Sequence, residues 1–225
     1  MSILLAAIHT ERMDNMNTKT RYQTRLHGLE IALLLVMGVF LLSGAVTVKA
    51  QSSLAEGVVR LHVLANSDSE ADQALKLTVR DAVLAETEGL LDGAAGREEA
   101  AGILRAQLPL LQRAAERTLA EQGSAYSVEV RLENAEFPTK AYDGFALPAG
   151  EYLALRVLIG EAKGQNWWCV VFPPLCTAAV SEMPEVAVSA GLSGSQVRLI
   201  TEEDGYVLKF KCAELWQQLR TALGK

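Results

Sequence analysis

The sequence predicts an α+β fold: a mainly antiparallel sheet of five to six strands with packed helices, preceded by an N-terminal hydrophobic signal or anchor helix. Two observations support this class. Short runs of β-branched and aromatic residues, bounded by Gly and Pro, alternate with longer stretches of helical periodicity. Ahead of them, Ile31–Val48 contains no charged residue. The chain has 225 residues, half of them hydrophobic, which suits one globular domain with an appendage.

The hydrophobic segment Ile31–Val48 has the length of a signal peptide or a membrane anchor. As a helix it would span about 27 Å, close to the roughly 30 Å of a bilayer core. Basic residues precede it, so the positive-inside rule predicts a cytoplasmic region over residues 1–30 and an exported globular domain over residues 51–225. A buried core helix is the less favoured interpretation.

Cleavage and anchoring both remain open. Small residues at Val48 and Ala50 would allow a signal peptidase to cut after Ala50, whereas the apolar run is longer than that of a usual signal peptide. Residues 1–15 are an unusual start for such a signal. Translation from Met13 or Met16 would leave a conventional short basic region.

The charge balance narrows the range of partners. The net charge is −6, and residues 1–50 contain more basic than acidic residues, so the exported part is more acidic than the whole chain. Such a domain lacks the basic footprint that phosphate-backbone binding requires. We therefore expect no nucleic-acid partner, and we expect no cofactor.

A polar turn joins the first predicted strand and helix. Val58–Ala65 is a strand whose apolar residues first alternate with polar ones and then become continuous. Asn66–Ser69 contains the residue types that turn a chain and cap a helix. A capping box at its end starts a helix over about Glu70–Glu86.

Two more helices and a strand follow. The periodicity predicts a helix over Arg97–Gln107. Pro109 should interrupt it, so a third helix is expected from there to Gln122. Tyr126–Leu132 alternates apolar and polar residues, which is typical of a half-exposed strand. Phe137–Phe145 is predicted to be irregular, with an Asp-Gly turn.

The aromatic run Trp167–Phe172 is predicted to be a strand at the centre of the core. It lies between Gly164 and a Pro-Pro pair, and its unbroken apolar character favours burial on both faces. We expect it to pair with Glu151–Ile159 as an antiparallel hairpin. The first strand leads through helices to Tyr126–Leu132, which allows a parallel pair within the sheet.

The C-terminal part is predicted to be a loop, a hairpin and a helix. Thr177–Gln196 has few aromatic residues and scattered Gly, Ser and Pro, which is typical of a surface excursion or mobile loop. Val197–Thr201 and Tyr206–Phe210 flank an acidic turn and are expected to form a hairpin. Lys211–Leu223 is expected to end the fold as an amphipathic helix.

Catalysis is the weaker interpretation of the polar residues near the first turn. An extracytoplasmic hydrolase would use His62 as base with Asp68 or Asp72 as its orienting group. Helix capping and a solvated helix face explain the same residues more simply, and the sequence has no nucleophile-elbow motif. We therefore predict no catalytic residue and no enzymatic activity.

The sequence allows more than one role for the cysteines. Cys169 and Cys176 would form a disulfide if the intervening proline pair folds the chain back until the α-carbons come within about 7 Å, and otherwise they are buried thiols. A zinc site that adds His62 and Cys212 is not favoured, because the gap between the first two cysteines does not match a zinc knuckle. We expect no metal.

Three ordered segments resemble one known family. They lie within Leu61–Val83, Phe137–Tyr152 and Gly164–Cys176. Together they resemble stage II sporulation protein R of endospore-forming bacteria over roughly Val58–Cys176. The resemblance is weaker after that range, and residues 1–15 depart from the family.

The resemblance implies a signalling role. Members of this family are made in the forespore and exported into the septal intermembrane space. There they activate a membrane-embedded, aspartic-type protease of the mother cell, which cuts the pro-sequence from the precursor of sigma factor E. The resemblance therefore implies a protein partner in a membrane, contact with the membrane through the N-terminal segment if that segment is kept, and no catalytic residues.

Two loops are predicted to contact the protease. The Asn66–Ser69 turn and the Pro138–Phe145 loop carry polar or aromatic groups at positions held by strands, where binding residues often lie. The predicted contact residues are Asn66, Ser67, Asp68, Asp72, Lys140, Tyr142, Asp143 and Phe145.

Overall fold

The computed structural model describes residues 34–35, 52–176 and 182–201. Most of the predicted signal or anchor segment lies outside the described residues, as does Ala50. The same is true of the predicted strand Tyr206–Phe210 and the predicted helix Lys211–Leu223.

The chain divides into two compact units, Met1–Thr47 and Val48–Lys225. Leu34 and Leu35 are the described residues of the first unit, and both are helical and exposed. Within the described ranges, no helix combines the length and the hydropathy needed to cross a membrane.

The second unit has the predicted α+β class. The strands of its main sheet are β1 (Val59–Leu64), β2 (Val128–Phe137), β5 (Gly150–Ile159) and β6 (Asn166–Phe172). A separate hairpin consists of β3 (Lys140–Tyr142) and β4 (Phe145–Leu147). The helices are α1 (Glu70–Leu91), α2 (Arg97–Glu121), α3 (Met183–Ser189) and α4 (Gly194–Thr201). The main sheet has the order β2-β5-β1-β6, so its described part has four strands where five to six were predicted.

β1 lies between β5 and β6, which the sequence did not predict. It runs parallel to β5, with Leu61 opposite Leu155, and antiparallel to β6, with Leu61 opposite Cys169. The predicted hairpin between β5 and β6 is therefore wrong. The sheet does contain a parallel pair, as the sequence allowed, but this pair joins β1 to β5, and β2 pairs with β5 in antiparallel fashion. β1 is buried at every position from Val59 to Val63, and an interior place in the sheet pairs both of its backbone edges.

Helices α1 and α2 pack on the face of the sheet that carries Leu61 and Leu155, called here the first face. α2 continues through Pro109, so the predicted break is wrong. Proline in a helix interior costs about 3 kcal/mol. Leu104 and Leu111, on either side of Pro109, are both fully buried. Burial worth about 1.5–3 kcal/mol for each large apolar side chain offsets the proline.

The opposite face of the sheet, which carries Arg60 and His62, is called here the second face. The β3–β4 hairpin and helices α3 and α4 cover one end of it with a second apolar cluster. The main members of this cluster are Val58, Phe137, Phe145, Leu147, Tyr152, Val170, Met183, Ala187, Val197 and Ile200.

α3 and α4 correct two predictions about the C-terminal part. The predicted loop Thr177–Gln196 contains α3 and the start of α4, and the predicted strand Val197–Thr201 is helical. Val197 and Ile200 are buried three residues apart, which fits helical rather than strand periodicity. Ser193 Oγ accepts a hydrogen bond from the backbone N–H of Gln196 and so caps α4.

The aromatic strand and the predicted Asp-Gly turn are both present. β6 is buried from Cys169 to Phe172, but Trp167 is 37% exposed and Trp168 is half-buried, so burial on both faces holds only for the second half of the strand. The segment predicted to be irregular forms the β3–β4 hairpin, in which Gly144 has a left-handed φ of 78°.

Candidate functional site

The Asp72 carboxylate holds the turn between β1 and α1. Its Oδ2 atom accepts hydrogen bonds from Ser67 Oγ at 2.6 Å and from Asn66 Nδ2 at 2.9 Å. The backbone N–H of Asp72 donates to Ser69 Oγ at 3.2 Å, so Ser69 caps α1 as predicted. The Ser67 hydroxyl, followed by the Asn66 amide, lowers the pKa of Asp72, because both hydrogen bonds favour the charged carboxylate.

The loop between β5 and β6 closes over this turn. Asn66 Oδ1 accepts from the backbone N–H of Glu161 at 3.0 Å, and Asp68 Oδ1 accepts from that of Gln165 at 2.7 Å. The Lys76 ammonium donates to the Gln165 carbonyl oxygen at 2.9 Å. These bonds join two loops that are distant in sequence. We call residues 66–72 with residues 160–165 the turn cluster.

Four of the predicted contact residues lie in the turn cluster, and they differ in accessibility. Asp72 is buried, whereas Asn66 and Ser67 are half-buried, and the polar side-chain atoms of all three bond within the cluster. Asp68 is exposed. Three of the four residues therefore shape the turn, and Asp68 is the one that a partner reaches most directly.

The other four predicted contact residues lie on the β3–β4 hairpin. Tyr142 and Phe145 stack across its turn with ring centroids 4.6 Å apart. Phe145 is buried, while Asp143 is exposed at the tip. The Lys140 ammonium lies 4.7 Å from the centroid of the Trp168 ring. The aromatic residues thus hold the hairpin together, and Asp143 is the most accessible of the four.

Arg60 is fully buried under the hairpin. Its guanidinium carbon lies 4.1 Å from the centroid of the Phe137 ring and 4.9 Å from that of Tyr152, and Nη2 donates to the Tyr142 hydroxyl oxygen at 2.5 Å. Within the described residues, Nε and Nη1 have no hydrogen-bond partner. Burial lowers the pKa of Arg60 because it disfavours the charged form, while the ring faces stabilise the cation.

His62 lies next to this group on the second face. Its Nε2 atom is 2.6 Å from Asn166 Oδ1, and its ring stacks on Trp168 at a centroid distance of 5.7 Å. Burial lowers the pKa of His62, and the positive charges of Arg156 and Arg60 lower it further. The imidazole is therefore packed and neutral near pH 7.

The structure does not assemble the predicted hydrolase site. Helix α1, which carries Asp72, packs on the first face, whereas the His62 side chain lies on the second. Asp68 bonds to the backbone of Gln165 instead. Among the described residues, no hydrogen bond joins His62 to either aspartate. Strand alternation explains this, because Leu61 and Val63 point toward the helices and His62 must point away from them.

The start of β6 connects the two groups of predicted contact residues. Gln165 bonds to Asp68 in the turn cluster, and three residues later Trp168 lies under Lys140 of the hairpin. The turn and the hairpin, separated by a long stretch of sequence, are thus neighbours of the same short segment.

The sequence prediction did not include Arg60 and Arg156 in this site. Arg156 stands opposite His62 in the β1–β5 register, and its Nη1 donates to Glu133 at 2.6 Å. A signal for Arg60 was present in the sequence. Arg60 and His62 occupy alternate positions of an otherwise apolar strand, which places both on one face.

Cys169 and Cys176 are paired as a disulfide in the structure, with α-carbons 6.1 Å apart. Cys176 Sγ also accepts from the backbone N–H of Val170 at 3.1 Å, which fastens the chain after the proline pair to β6. In the described part of the chain, no three His, Cys, Asp or Glu residues are grouped to hold a metal ion. Cys212, the third cysteine of the zinc site considered from the sequence, lies outside the described residues.

Comparisons with known proteins agree with the resemblance seen in the sequence. The family model of stage II sporulation protein R matches residues 55–182. The curated stage II sporulation protein R of Bacillus subtilis (strain 168) is 43% identical over 118 residues, which is 52% of this chain and 53% of that protein. The chain thus spans about half the length of the curated relative that it matches. No solved structure matches.

The family match includes all four strands of the main sheet, both long helices, the turn cluster and the hairpin. It covers more than half of the chain. The protein belongs to the stage II sporulation protein R family.

Proposed function

We propose that this protein is an exported sporulation signalling protein that activates a membrane-bound, aspartic-type protease of the mother cell and so causes processing of pro-sigma-E. The observation that carries the proposal is the family match over residues 55–182, which supports a role in sporulation. The turn cluster and the hairpin both lie within the matched residues.

Contact rather than catalysis is the proposed mode of action. The family description names a stage of sporulation and no reaction, which agrees with the prediction that the chain is not an enzyme. His62 is packed against Trp168 and bonded to Asn166, and it has no carboxylate partner among the described residues. The protein is therefore proposed to act through surfaces that contact a partner.

The proposed place of action is the septal intermembrane space, reached by export from the forespore. The uncharged segment Ile31–Val48, with basic residues before it, supports export. Cleavage after Ala50 would release the domain, and an uncut segment would hold it on the membrane. A disulfide between Cys169 and Cys176 suits an oxidising space outside the cytoplasm.

We propose that the protease contacts the accessible residues of the two predicted loops. These are the exposed residues Asp68 of the turn cluster and Asp143 of the hairpin, together with the half-buried Lys140. The remaining predicted contact residues position the loops by their internal bonds and stacking. They are Asn66, Ser67, Asp72, Tyr142 and Phe145.

Deletion of the gene tests the function. We expect pro-sigma-E to remain unprocessed on immunoblots of sporulating cells, and a full-length copy to restore processing. A copy that lacks residues 1–50 should fail, because it stays in the forespore cytoplasm. Normal processing in the deletion strain would refute the proposed function. Immunoblots of membrane and secreted fractions would show whether the N-terminal segment is kept.

Charge changes test the contact surface. We expect Asp143→Lys, and Asp68→Asn, which keeps a side-chain acceptor for the Gln165 N–H, to reduce processing of pro-sigma-E at unchanged protein level and stability. Glu121→Lys, an exposed change at the end of α2, is the matched control and should process normally. Full processing by both loop variants would contradict the proposed surface.

A further inference from the structure

Several buried side-chain nitrogen atoms on the second face have no hydrogen-bond partner among the described residues. Within the described residues, Nε and Nη1 of Arg60, Nδ1 of His62, Nε of Arg156 and Nε1 of Trp168 are buried without a hydrogen-bond partner. Arg60 is 0% exposed and His62 is 8% exposed. Buried polar groups in folded proteins are nearly always paired, so a set of unpaired ones on a single sheet face is a candidate binding site.

These side chains form one continuous patch. The Arg60 guanidinium and the His62 ring both contact the Phe137 ring, at centroid distances of 4.1 Å and 5.7 Å. His62 in turn stacks on Trp168 and stands opposite Arg156 in the sheet. His62 therefore lies at the centre of the patch, in contact with Phe137 and Trp168 and opposite Arg156.

The patch is positively charged in a protein whose net charge is −6. Lys140 adds its ammonium at the rim, above Trp168. Glu133 is the one carboxylate that the described residues place in contact with the patch, through Arg156 Nη1, and this pair is partly exposed. Arg156 Nε remains without a partner. The positive charges thus exceed the negative ones locally.

We propose that this patch, formed by Arg60, His62, Arg156 and Trp168 with Lys140 at its rim, binds an aspartate or glutamate side chain of a protein partner. A carboxylate has two oxygens with about four acceptor positions, which matches several convergent donors. Arg156 and Trp168 are partly exposed, so a partner reaches these two side chains, although their unpaired Nε and Nε1 atoms are themselves buried. Arg60 contributes its charge from beneath, where little water screens it.

The protonation state of His62 is compatible with a carboxylate ligand. Because Nε2 faces the side-chain oxygen of Asn166, that nitrogen carries the proton of the neutral ring. Nδ1 gains a proton only when the ring becomes charged, and a carboxylate nearby would favour that form. Binding would therefore be accompanied by proton uptake at His62.

The surroundings favour a protein over a small molecule. The patch lies on a sheet face at the edge of the β3–β4 hairpin, and its walls are the rings of Phe137, Tyr142 and Trp168. Arg, Trp and Tyr are the residue types that dominate interface hot spots. Apolar neighbours of an acidic residue on a partner surface would pack on the partly exposed rings of Tyr142 and Trp168, which a free anion would leave uncovered.

The test uses the full-length chain in detergent micelles and a fluorescein-labelled tetraglutamate peptide, with tetraglutamine as the uncharged control. Fluorescence anisotropy reports binding, and the indole N–H resonance of Trp168, assigned with Trp168→Phe, reports its place. We expect tetraglutamate alone to bind and to shift that resonance. Arg156→Gln should weaken binding at least about tenfold, because a charge-assisted hydrogen bond is lost.

Two further variants sharpen the test. Arg60→Lys keeps the buried charge and should weaken binding less than Arg156→Gln does. Arg80→Gln removes an arginine that stacks on Trp167 at 4.2 Å on the first face, and it should bind as the wild type does. Equal binding of the two peptides, or unchanged binding by Arg156→Gln, would overturn the proposal.

Other occupants give distinct outcomes. Competition by free glutarate at the same concentration as the peptide would assign the patch to small dicarboxylates and overturn the protein-partner version. Binding that appears only after Glu202, Glu203 and Asp204 are neutralised to Gln, Gln and Asn would assign the patch to the chain's own acidic segment and overturn the protein-partner version. The protease is absent from the assay, so failure here leaves the proposed function standing. Only the identification of the partner as that protease rests on the proposed function.

Discussion

Lys76 of α1 and Gln165 of the β5–β6 loop are joined by a hydrogen bond of 2.9 Å between the ammonium nitrogen and the carbonyl oxygen. Lys76 is 4% exposed, and it also donates to Gln73 Oε1 at 2.6 Å. Burial lowers the pKa of Lys76, while the negative charge of Asp68 raises it. A buried cation thus fastens the first long helix to the loop that leads into β6.

We expect Lys76→Met to destabilise the fold by about 1–3 kcal/mol, because the Gln165 carbonyl loses its buried donor. Urea unfolding of the full-length chain measures the change. Lys163→Met is the control, since the Lys163 side chain is 75% exposed. Equal stability of the two variants would show that the Lys76 bond contributes nothing.

Gly164 is predicted to tolerate no larger residue. An added Cβ would lie 2.2 Å from the Ser67 carbonyl oxygen, so Gly164→Ala must push the two loops apart. Overpacking of this kind costs about 1–3 kcal/mol. Gly102→Ala is the matched control, because Gly102 lies in α2 with open space around it. That change should stabilise the protein by about 0.5–1 kcal/mol. A thermal melt that ranks the variants in the reverse order would contradict this account.

Asp72 is predicted to make the free energy of unfolding depend on pH in the acidic range. Its pKa is lowered in the folded state by Ser67 and Asn66, so its contribution is present above the ordinary value of 3.8 and is lost as the pH falls through the folded value. The difference in unfolding free energy between wild type and Asp72→Asn should be largest near pH 7 and should shrink below pH 3.8. Asp92→Asn, an exposed change just after α1, controls for the loss of one charge. A pH-independent difference would argue against this role of the carboxylate.

Alkylation under denaturing conditions tests the pairing of Cys169 with Cys176. We expect one reactive thiol, from Cys212, in protein purified without reductant and none in a Cys212→Ala variant. Reduction should lower stability by about 2.5 kcal/mol by the loop-entropy estimate for so short a loop. Three reactive thiols in the untreated wild type would show that both cysteines are free.

Local patterns in the sequence were sufficient to predict β1, the Ser69 cap and the strand over β5, because each of these depends on neighbouring residues. The pairing of β5 with β6 was wrong, because adjacency in sequence favours a hairpin. Instead β1, which is distant in sequence from both strands, lies between β5 and β6 and pairs with each of them. α4 was mistaken for a strand because a five-residue apolar run does not distinguish the two states.

The site was predicted in part for the same reason. The polar residues of the first turn were identified, and the structure brings them together around Asp72. Their connection with Gln165 and the position of Arg60 under three aromatic rings depend on segments that no short pattern relates. Charge on a strand is usually assumed to face solvent, and Arg60 shows the exception.

The order of the sheet has a consequence for folding kinetics. β1 leaves the ribosome before any other strand of the sheet, yet both of its neighbours, β5 and β6, are made only after the two long helices and the hairpin. The hydrogen-bonding partners of its backbone are therefore distant in sequence, and contacts of high sequence separation slow folding. The sheet therefore cannot be completed until Phe172 has been made, and an incomplete sheet would suit the proposed export, which requires an extended polypeptide.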